Sequence, residues 1–182
     1  MDKELIKKKL KESINKYTRI CVWDFDGTLV DTPLPDSGRE EFKKKTGQDW
    51  PHKGWWSRPE TLDPVIFKMP VIAGTIAAYN KERQVPNTLM VMMTGRLARL
   101  APAVENVLLH YNLKFDEYLY NTGGETLHSK INYLDSLMAK YPDVKEIKMF
   151  EDRLEHIPSF EAWGSTKDID FEVIEVKSGH HD

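Results

Sequence analysis

The sequence predicts an α/β fold, a Rossmann-like three-layer sandwich with a central, mostly parallel sheet and a small irregular insertion after the first strand. Two observations predict this fold. Apolar, strand-like runs alternate with helix-like segments along most of the chain, which is typical of a parallel sheet covered on both faces. Polar and charged residues directly follow several of these runs, and ligand sites of such sheets lie beyond the carboxyl ends of the strands.

Hydrophobic periodicity predicts the elements in order. An amphipathic helix is predicted over 3–16, where Ile6, Leu10, Ile14 and Tyr17 recur at helical spacing. The other predicted helices are 71–83, 98–111, 126–140 and 154–163, and the predicted strands are 19–23, 88–93, 115–120, 146–150 and 171–176. Crossovers between parallel strands are expected to be right-handed.

The insertion is predicted over 31–70, which is rich in proline and tryptophan and shows little periodicity beyond a short helix near 39–45. We expect one domain over 1–182, with 31–70 as a small cap-like insertion within it. A large independent cap does not fit between Thr28 and Thr94, because a core helix must also come from this part of the chain. The tail 178–182 is predicted to be a frayed end with solvated histidines.

Composition narrows the class of protein. The formal net charge of −3 gives no overall field for nucleic acid or membranes, although local basic patches remain open. The single cysteine, Cys21, excludes an internal disulfide and is expected to pack as a small hydrophobe. No apolar stretch approaches the ~20 residues that span a bilayer. We therefore expect a cytoplasmic protein with no membrane partner, and no obligate protein partner is evident.

The most informative feature is a pair of acids, Asp24 and Asp26, directly after the apolar run 20–23. Alternate residues of an extended chain point the same way, so both carboxylates are expected to share one small volume. Crowded like charges need a compensating cation, and Mg²⁺ is the divalent ion that best suits oxygen ligands here. Gly27 then permits a sharp turn that the Thr28 hydroxyl can hold. The alternative is a turn with two exposed carboxylates.

This junction resembles the first motif of the haloacid dehalogenase (HAD) superfamily, an apolar strand followed by Asp-x-Asp-Gly-Thr, which residues 22–31 match. The resemblance implies that Asp24 is a nucleophile that forms an aspartyl-phosphate, and that Asp26 is the acid/base. It also implies a Mg²⁺ ion held by the Asp24 side chain, the Asp26 backbone carbonyl and an acid at 151–152.

Two further motifs follow by the same resemblance. Thr94, with the backbone N–H groups near Gly95, would hold a phosphate oxygen, although a helix N-cap is an equally good interpretation of Thr94 in isolation. Arg96 would contact substrate or form a surface salt bridge. Lys130, at the start of a predicted helix, would neutralise the nucleophile and the phosphate, and a solvated helix lysine is its alternative.

Glu151 and Asp152 occupy the place of the fourth motif. The usual pattern there is Asp-Asp or Gly-Asp, so Glu151 departs from it. This departure leaves open which of the two acids binds the metal directly. We favour Asp152 as the direct metal ligand and Glu151 as a residue that acts behind it or through water. His156, placed one helical turn after Asp152, would orient an acid or touch substrate, or it would simply interact with the helix start.

The Glu-Asp-Arg-x-x-His string, a tryptophan pair and Thr-Gly-Arg together resemble a narrower branch, the Swiss Army Knife RNA repair-like HAD domain. That branch name suggests processing of RNA ends. Trp55, Trp56 and Arg58 would stack on bases and bind phosphates, with local charge from nearby lysines. In the other interpretation these tryptophans pack the insertion onto the domain.

The sequence thus predicts a Mg²⁺-dependent phosphatase, a phosphomonoester hydrolase that works through an aspartyl-phosphate. The substrate class that the resemblance suggests is a phosphorylated nucleic-acid end or a nucleotide. The alternatives are a small-metabolite phosphatase and a catalytically silent HAD-fold binding module. Halide removal is disfavoured because the family members that perform it lack the second aspartate, and a kinase is disfavoured because there is no Gly-x-x-x-x-Gly-Lys loop.

Overall fold

Strands and helices alternate in the computed structural model of the chain, which describes residues 2–177. The strands are β1 (Arg19–Trp23), β2 (Thr88–Leu97), β3 (Glu117–Asn121), β4 (Glu146–Glu151) and β5 (Asp170–Glu175). The helices are α1 (Lys3–Asn15), α2 (Pro35–Thr46), α3 (Ala73–Glu82), α4 (Ala101–His110), α5 (Thr126–Lys140) and α6 (Ile157–Ser165). The prediction for the tail 178–182 lies outside the described residues.

The five strands form one sheet in the order β3-β2-β1-β4-β5. Every pairing in this sheet is parallel, from Arg19 with Thr88 at the start of β1 to Glu151 with Glu175 at the end of β5. The direction in which the chain winds across the sheet reverses at β1, and such a reversal opens a crevice beyond the carboxyl ends of the strands. The predicted α/β fold is therefore confirmed, and the crevice lies where β1 and β4 end.

Both faces of the sheet are covered, because successive residues of β1 point to opposite sides. Cys21 and Trp23 belong to the core shared with α3, α4 and the segment 31–70, whereas Ile20 and Val22 belong to the core shared with α5 and α6. All four side chains are fully buried. This alternation gives the three layers, and it fixes the rotation of β1 so that Asp24 emerges at the crevice.

Some element boundaries differ from those predicted. β2 continues to Leu97 instead of ending at Met93, because Leu97 pairs with Asn121 after a local irregularity in the register. The Thr94-Gly95-Arg96 motif thus lies inside the strand rather than after it. α6 begins at Ile157 instead of 154, with Pro158 in its first turn, where a missing N–H costs nothing.

The segment 31–70 is more ordered than predicted. Its helix α2 runs over twelve residues, and a 3₁₀ turn follows at Pro59–Leu62. Trp55 is buried under α2, donates from Nε1 to the carbonyl of Pro33 over 3.0 Å, and packs against the ring of Trp50. A Cβ on Gly38 would lie 2.3 Å from the Trp55 ring, so only glycine permits this close approach. The division of the chain into one domain with a cap-like insertion stays a prediction.

The amphipathic helix predicted near the N-terminus is present as α1. Its side chains Leu5, Ile6 and Leu10 lie at the surface, and Leu10 is 60% exposed. In the part of the chain that the structure describes, no helix combines the length and apolar character that crossing a bilayer requires.

Candidate active site

The candidate active site lies where β1 and β4 end side by side. The backbone N–H of Asp24 donates to the carbonyl of Phe150 over 3.1 Å, which continues the pairing of the two strands by one residue. Glu151 is the last residue of β4, and Asp152 follows it directly. The sheet register therefore brings the acids of the first and fourth motifs to one edge.

Three carboxylates meet there. Asp24, Glu151 and Asp152 are all buried, and each offers an oxygen within 4.8 Å of the others. The Nζ of Lys130 lies 2.9 Å from Oδ1 of Asp24 and 2.7 Å from Oε2 of Glu151. The Thr28 hydroxyl lies 3.3 Å from Oδ2 of Asp24 and 3.2 Å from Oδ1 of Asp152. The turn after β1 and the second turn of α5 thus both point polar atoms into this acidic cluster.

The pKa values of the groups in this cluster are shifted from their usual ranges. Burial, together with the negative charges of Glu151 and Asp152, raises the pKa of Asp24 well above its usual range, although Lys130 opposes the rise. Burial is also the main reason that the pKa of Asp152 rises to about 6. Burial alone would lower the pKa of Lys130, but the charges of Asp24 and Glu151 raise it. Lys130 therefore stays protonated, and its single positive charge is shared between the carboxylates of Asp24 and Glu151.

Glu151 differs from its two neighbours. It is fully buried, its Oε2 accepts from Lys130, and its Oε1 accepts from the backbone N–H of Arg153 over 3.2 Å. Burial would raise the pKa of Glu151, but Lys130 and these hydrogen bonds lower it. Both oxygens of Glu151 are thus bound to protein groups, and its carboxylate stays charged behind Lys130.

Asp26 is held by Arg96. The Arg96 guanidinium donates from Nη2 to Oδ1 of Asp26 over 2.7 Å and from Nε to Oδ2 over 3.0 Å. The Thr32 hydroxyl donates to the same Oδ1 over 2.6 Å. The Arg96 side chain is only 1% exposed. The alternative of a surface salt bridge for Arg96 is therefore wrong, because the guanidinium is buried in a bidentate pair with Asp26. The substrate contact of Arg96 stays a prediction.

A cleft of about 360 Å³ opens above these groups. The residues that line it are Asp24, Asp26, Trp56, Gly95, Arg96, Thr126, Lys130, Asp152 and Arg153. Gly95 must lack a side chain, since a Cβ there would lie 2.5 Å from the Thr126 hydroxyl. Residues from β2, α5, the segment 31–70 and the loops that follow β1 and β4 thus share one cavity.

Other residues predicted for the site do not line this cleft. Thr94 is buried, and its hydroxyl accepts the backbone N–H of Arg96. Arg58 precedes the 3₁₀ turn, and its backbone carbonyl accepts the Thr61 hydroxyl. His156 is the N-cap of α6, so it does not lie one helical turn after Asp152 as predicted. The pKa of His156 is lowered mainly by burial. Trp55 packs beneath α2.

Sequence reasoning missed two residues of the cleft. Thr126 begins α5 one turn before Lys130, so helical spacing alone places it on the same face. Arg153 follows the acid pair at the end of β4, and its Nε lies 3.1 Å from the exposed Glu155. A search of the residues beside each motif, and not only within it, could have found both.

The residues of the acidic cluster suit a hard divalent cation. Their donors are carboxylate oxygens, which Mg²⁺ prefers. If all three carboxylates are ionised, the ammonium of Lys130 leaves two negative charges uncompensated within the cluster, and one divalent ion would offset both. Burial is the main cause of the raised pKa values of Asp24 and Asp152, and the negative charge of Glu151 adds to both.

Comparison with known proteins identifies relatives of the chain. The sequence model of HAD domain family 1 in Swiss Army Knife RNA repair proteins matches residues 42–182. The uncharacterized protein YMR265C of Saccharomyces cerevisiae is 22% identical over 175 residues, which cover 84% of this chain and 38% of that protein. The chain thus spans well under half the length of this relative.

Solved structures share the fold. A chain of the Pnkp1/Rnl/Hen1 RNA repair complex superposes with a TM-score of 0.54 and 16% identity, over 88% of this chain and 42% of that one. The HAD domain of the effector protein Lem4 from Legionella pneumophila gives a TM-score of 0.52 and 11% identity, over 91% and 89% of the two chains. The predicted resemblance to this branch is confirmed by the family match.

Proposed function

We propose that this chain, which belongs to HAD domain family 1 of the Swiss Army Knife RNA repair proteins, is a Mg²⁺-dependent phosphatase that forms an aspartyl-phosphate on Asp24. One observation carries the proposal. A lysine and three buried carboxylates meet at the edge of the sheet where β1 and β4 end, and they border an open cleft. Such crowding is costly to fold, and it is explained if the cluster binds a cation and a phosphate.

In the first step, a carboxylate oxygen of Asp24 attacks phosphorus in line with the leaving group. The bond from phosphorus to the ester oxygen breaks, and Asp26 gives its proton to that oxygen. Lys130 holds the Asp24 carboxylate in place through its 2.9 Å contact and offsets negative charge as it builds on the phosphoryl oxygens.

In the second step, Asp26 accepts a proton from water, and the resulting hydroxide attacks the phosphorus of the aspartyl-phosphate. The acyl phosphate bond breaks, inorganic phosphate leaves and the Asp24 carboxylate is restored. The backbone near Gly95, which lines the cleft, is proposed to bind a phosphate oxygen. The buried Thr94 hydroxyl accepts the Arg96 N–H, and it is proposed to hold this backbone in place.

Asp24, Asp152 and the backbone carbonyl of Asp26 would hold the Mg²⁺ ion, which would offset charge on the phosphoryl oxygens. Asp152 is the better direct ligand because it lines the cleft. Glu151 is proposed to act from behind, since both of its oxygens bind protein groups.

The proposed substrate is a phosphorylated nucleic-acid end or a nucleotide. Trp56 lines the cleft and is 42% exposed, so an aromatic base has a surface on which to stack. Arg153 adds a cation at the same cleft. The description of the family and the RNA repair complex that shares the fold favour nucleic acid over a small metabolite. A cytoplasmic location stays a prediction.

A panel of phosphate esters, assayed with and without Mg²⁺, tests the proposal. We expect turnover that requires the metal and falls by about a thousandfold or more in Asp24→Asn. The circular dichroism spectrum of this variant should match the wild type. Unchanged turnover in Asp24→Asn would remove Asp24 from the mechanism, and absence of Mg²⁺-dependent turnover on every ester would favour the silent binding module.

The same panel ranks the substrates. Phosphorylated oligonucleotides and mononucleotides should have higher kcat/KM than sugar phosphates. Trp56→Ala should lower kcat/KM for the nucleotides by about tenfold, a typical loss for one stacked base, and leave sugar phosphates unchanged. Equal loss on both classes would contradict a stacking role.

A further inference from the structure

The segment 56–61 of the insertion is tied to the acid/base through a single buried side chain. Arg96 reaches Asp26 with Nη2 and Nε, and its remaining nitrogen, Nη1, donates to the backbone carbonyl of Trp56 and to the hydroxyl of Thr61. Both Nη1 contacts measure 2.8 Å. One rigid, planar group therefore joins the insertion to the carboxylate proposed to move protons.

Thr61 is the buried anchor of this connection. It is fully buried, it belongs to the 3₁₀ turn Pro59–Leu62, and its hydroxyl donates to the carbonyl of Arg58 over 2.7 Å. Because the hydroxyl proton is used in that bond, the oxygen lone pairs face the guanidinium. Thr61 therefore fixes the position of Nη1 from the side opposite Asp26.

The indole of Trp56 also lies beside this guanidinium. Its ring lies 5.1 Å from the centre of the Arg96 guanidinium, within the range of a cation–π contact. The same ring is partly exposed at the cleft. A group that stacks on Trp56 would thus rest on a platform that is bonded to Arg96.

We propose that Thr61 is a positioning residue, which aims the Asp26 carboxylate at the leaving oxygen by fixing the guanidinium of Arg96. The insertion is then part of the catalytic geometry and not a detached cover. This inference rests on the proposed function. A guanidinium holds its donors in a fixed plane, so a shift at Nη1 moves Nη2 and Nε with it. Displacement of a catalytic group by about 1 Å can cost up to a hundredfold in rate.

Thr61→Val tests the proposal, since it keeps the shape of the side chain and removes the oxygen. The readout is kcat/KM on two esters with different leaving groups. A nucleoside phosphate expels an alkoxide, which needs a proton from Asp26, whereas para-nitrophenyl phosphate expels a stabilised phenolate that does not. We expect a loss of about tenfold on the nucleoside phosphate and less than about twofold on the aryl phosphate.

Two variants act as controls. Thr61→Ser keeps the hydroxyl and should restore the wild-type ratio of the two kcat/KM values. Arg99→Gln removes another bond to the same segment, from Nη2 of Arg99 to the carbonyl of Ser57, which does not lead to Asp26. It should leave kcat/KM on both esters unchanged. This result would show that weaker attachment of the insertion does not by itself disturb the position of Asp26.

An equal loss on both esters in Thr61→Val, or no loss on either, would overturn the proposal while leaving the phosphatase intact. Failure of the wild type to hydrolyse either ester with Mg²⁺ would instead overturn the proposed function and this inference with it. If Thr61→Val does not fold, Arg96→Lys carries the test by the same ratio, because an ammonium cannot span Asp26 and Thr61 together.

Discussion

Two charged clusters lie at opposite ends of the same strands, and they differ in their balance of charge. The carboxyl-edge cluster consists of Asp24, Lys130, Glu151 and Asp152, with three acids and one base. The amino-edge cluster consists of Arg19, Glu82, Glu146 and Lys148, with two of each. The pKa of Glu82 is lowered in the amino-edge cluster, whereas the pKa values of Asp24 and Asp152 are raised in the carboxyl-edge cluster.

The amino-edge cluster is a closed network. Arg19 contacts Glu82 at 2.6 Å and Glu146 at 2.9 Å, and Lys148 contacts Glu82 at 3.1 Å. Burial alone would raise the pKa of Glu82, but the hydrogen bonds from Arg19 and Lys148 lower it. In the carboxyl-edge cluster, the pKa of Asp24 is raised instead. Matched charges thus support the fold at the amino edge, whereas the carboxyl-edge cluster has a deficit of positive charge, and we propose that a cation binds there.

The largest expected effect is the loss of Lys130. Lys130→Met would leave the three acids of the carboxyl-edge cluster without their ammonium, at a cost of about 3–5 kcal/mol in the free energy of unfolding. Mg²⁺ should restore part of this loss by supplying positive charge. Urea unfolding with and without Mg²⁺ measures both effects.

Lys140→Met is the matched control for that measurement. Lys140 lies on the same helix, but its pair with Glu117 is at the surface, so we expect a change below about 1 kcal/mol. If Lys130→Met were as stable as Lys140→Met, the ammonium of Lys130 would not be what stabilises the three acids of the carboxyl-edge cluster.

Mg²⁺ binding should stabilise the wild type next most strongly. An ion that binds the folded state alone adds about 2.7 kcal/mol at 100 times its dissociation constant. Asp152→Asn should abolish most of this gain, whereas Glu146→Gln, in the amino-edge cluster, should keep it. Thermal unfolding in a Mg²⁺ titration makes the comparison, and a full gain in Asp152→Asn would exclude Asp152 as a ligand.

Glu82→Gln should affect stability and spare catalysis. We expect it to lower the free energy of unfolding by about 2 kcal/mol at pH 7, because the Arg19 and Lys148 charges lose their shared partner. The pKa of Glu82 is lowered in the folded protein, so its contribution is present above the unfolded value of about 4.3 and is lost as the pH falls through the folded value.

Urea unfolding of wild type and Glu82→Gln at pH 7 and at about pH 3 checks this dependence. The difference in stability between them should shrink at the lower pH. A difference that is the same at both pH values would mean that the charge of Glu82 is not what stabilises the amino-edge cluster.

The two clusters also differ in how far the sequence predicts them. Asp24 and the acids at 151–152 were predicted to meet because parallel strands place their carboxyl ends at one edge. The bounds of α5 were likewise predicted, since its apolar spacing is uninterrupted. Those parts depend on local pattern and on a general rule of topology.

The remainder depends on contacts between distant parts of the chain. Arg96 and Asp26 are 70 residues apart, and nothing in either motif specifies that they pair. Gly95 and Arg96 look like the end of a strand, and only the pairing of Leu97 with Asn121 extends β2 past them. The amino-edge cluster follows no motif, because Glu82 reaches Arg19 from a helix on one face of the sheet.

The smallest expected effect concerns Cys21, which lies within β1 beside the amino-edge cluster. Burial is the main cause that raises the pKa of the Cys21 thiol to about 12, and its Sγ lies 3.8 Å from Oε2 of Glu82. The thiolate is the reactive form, so native protein at pH 8 should resist iodoacetamide, with modification only after unfolding in urea. Mass spectrometry of the intact chain measures this. Glu82→Gln should accelerate the labelling slightly, since it weakens the network that keeps this end of the strand closed. Rapid labelling of the native wild type would mean that the amino edge opens readily, and a balanced set of charges would then not be enough to keep that edge closed.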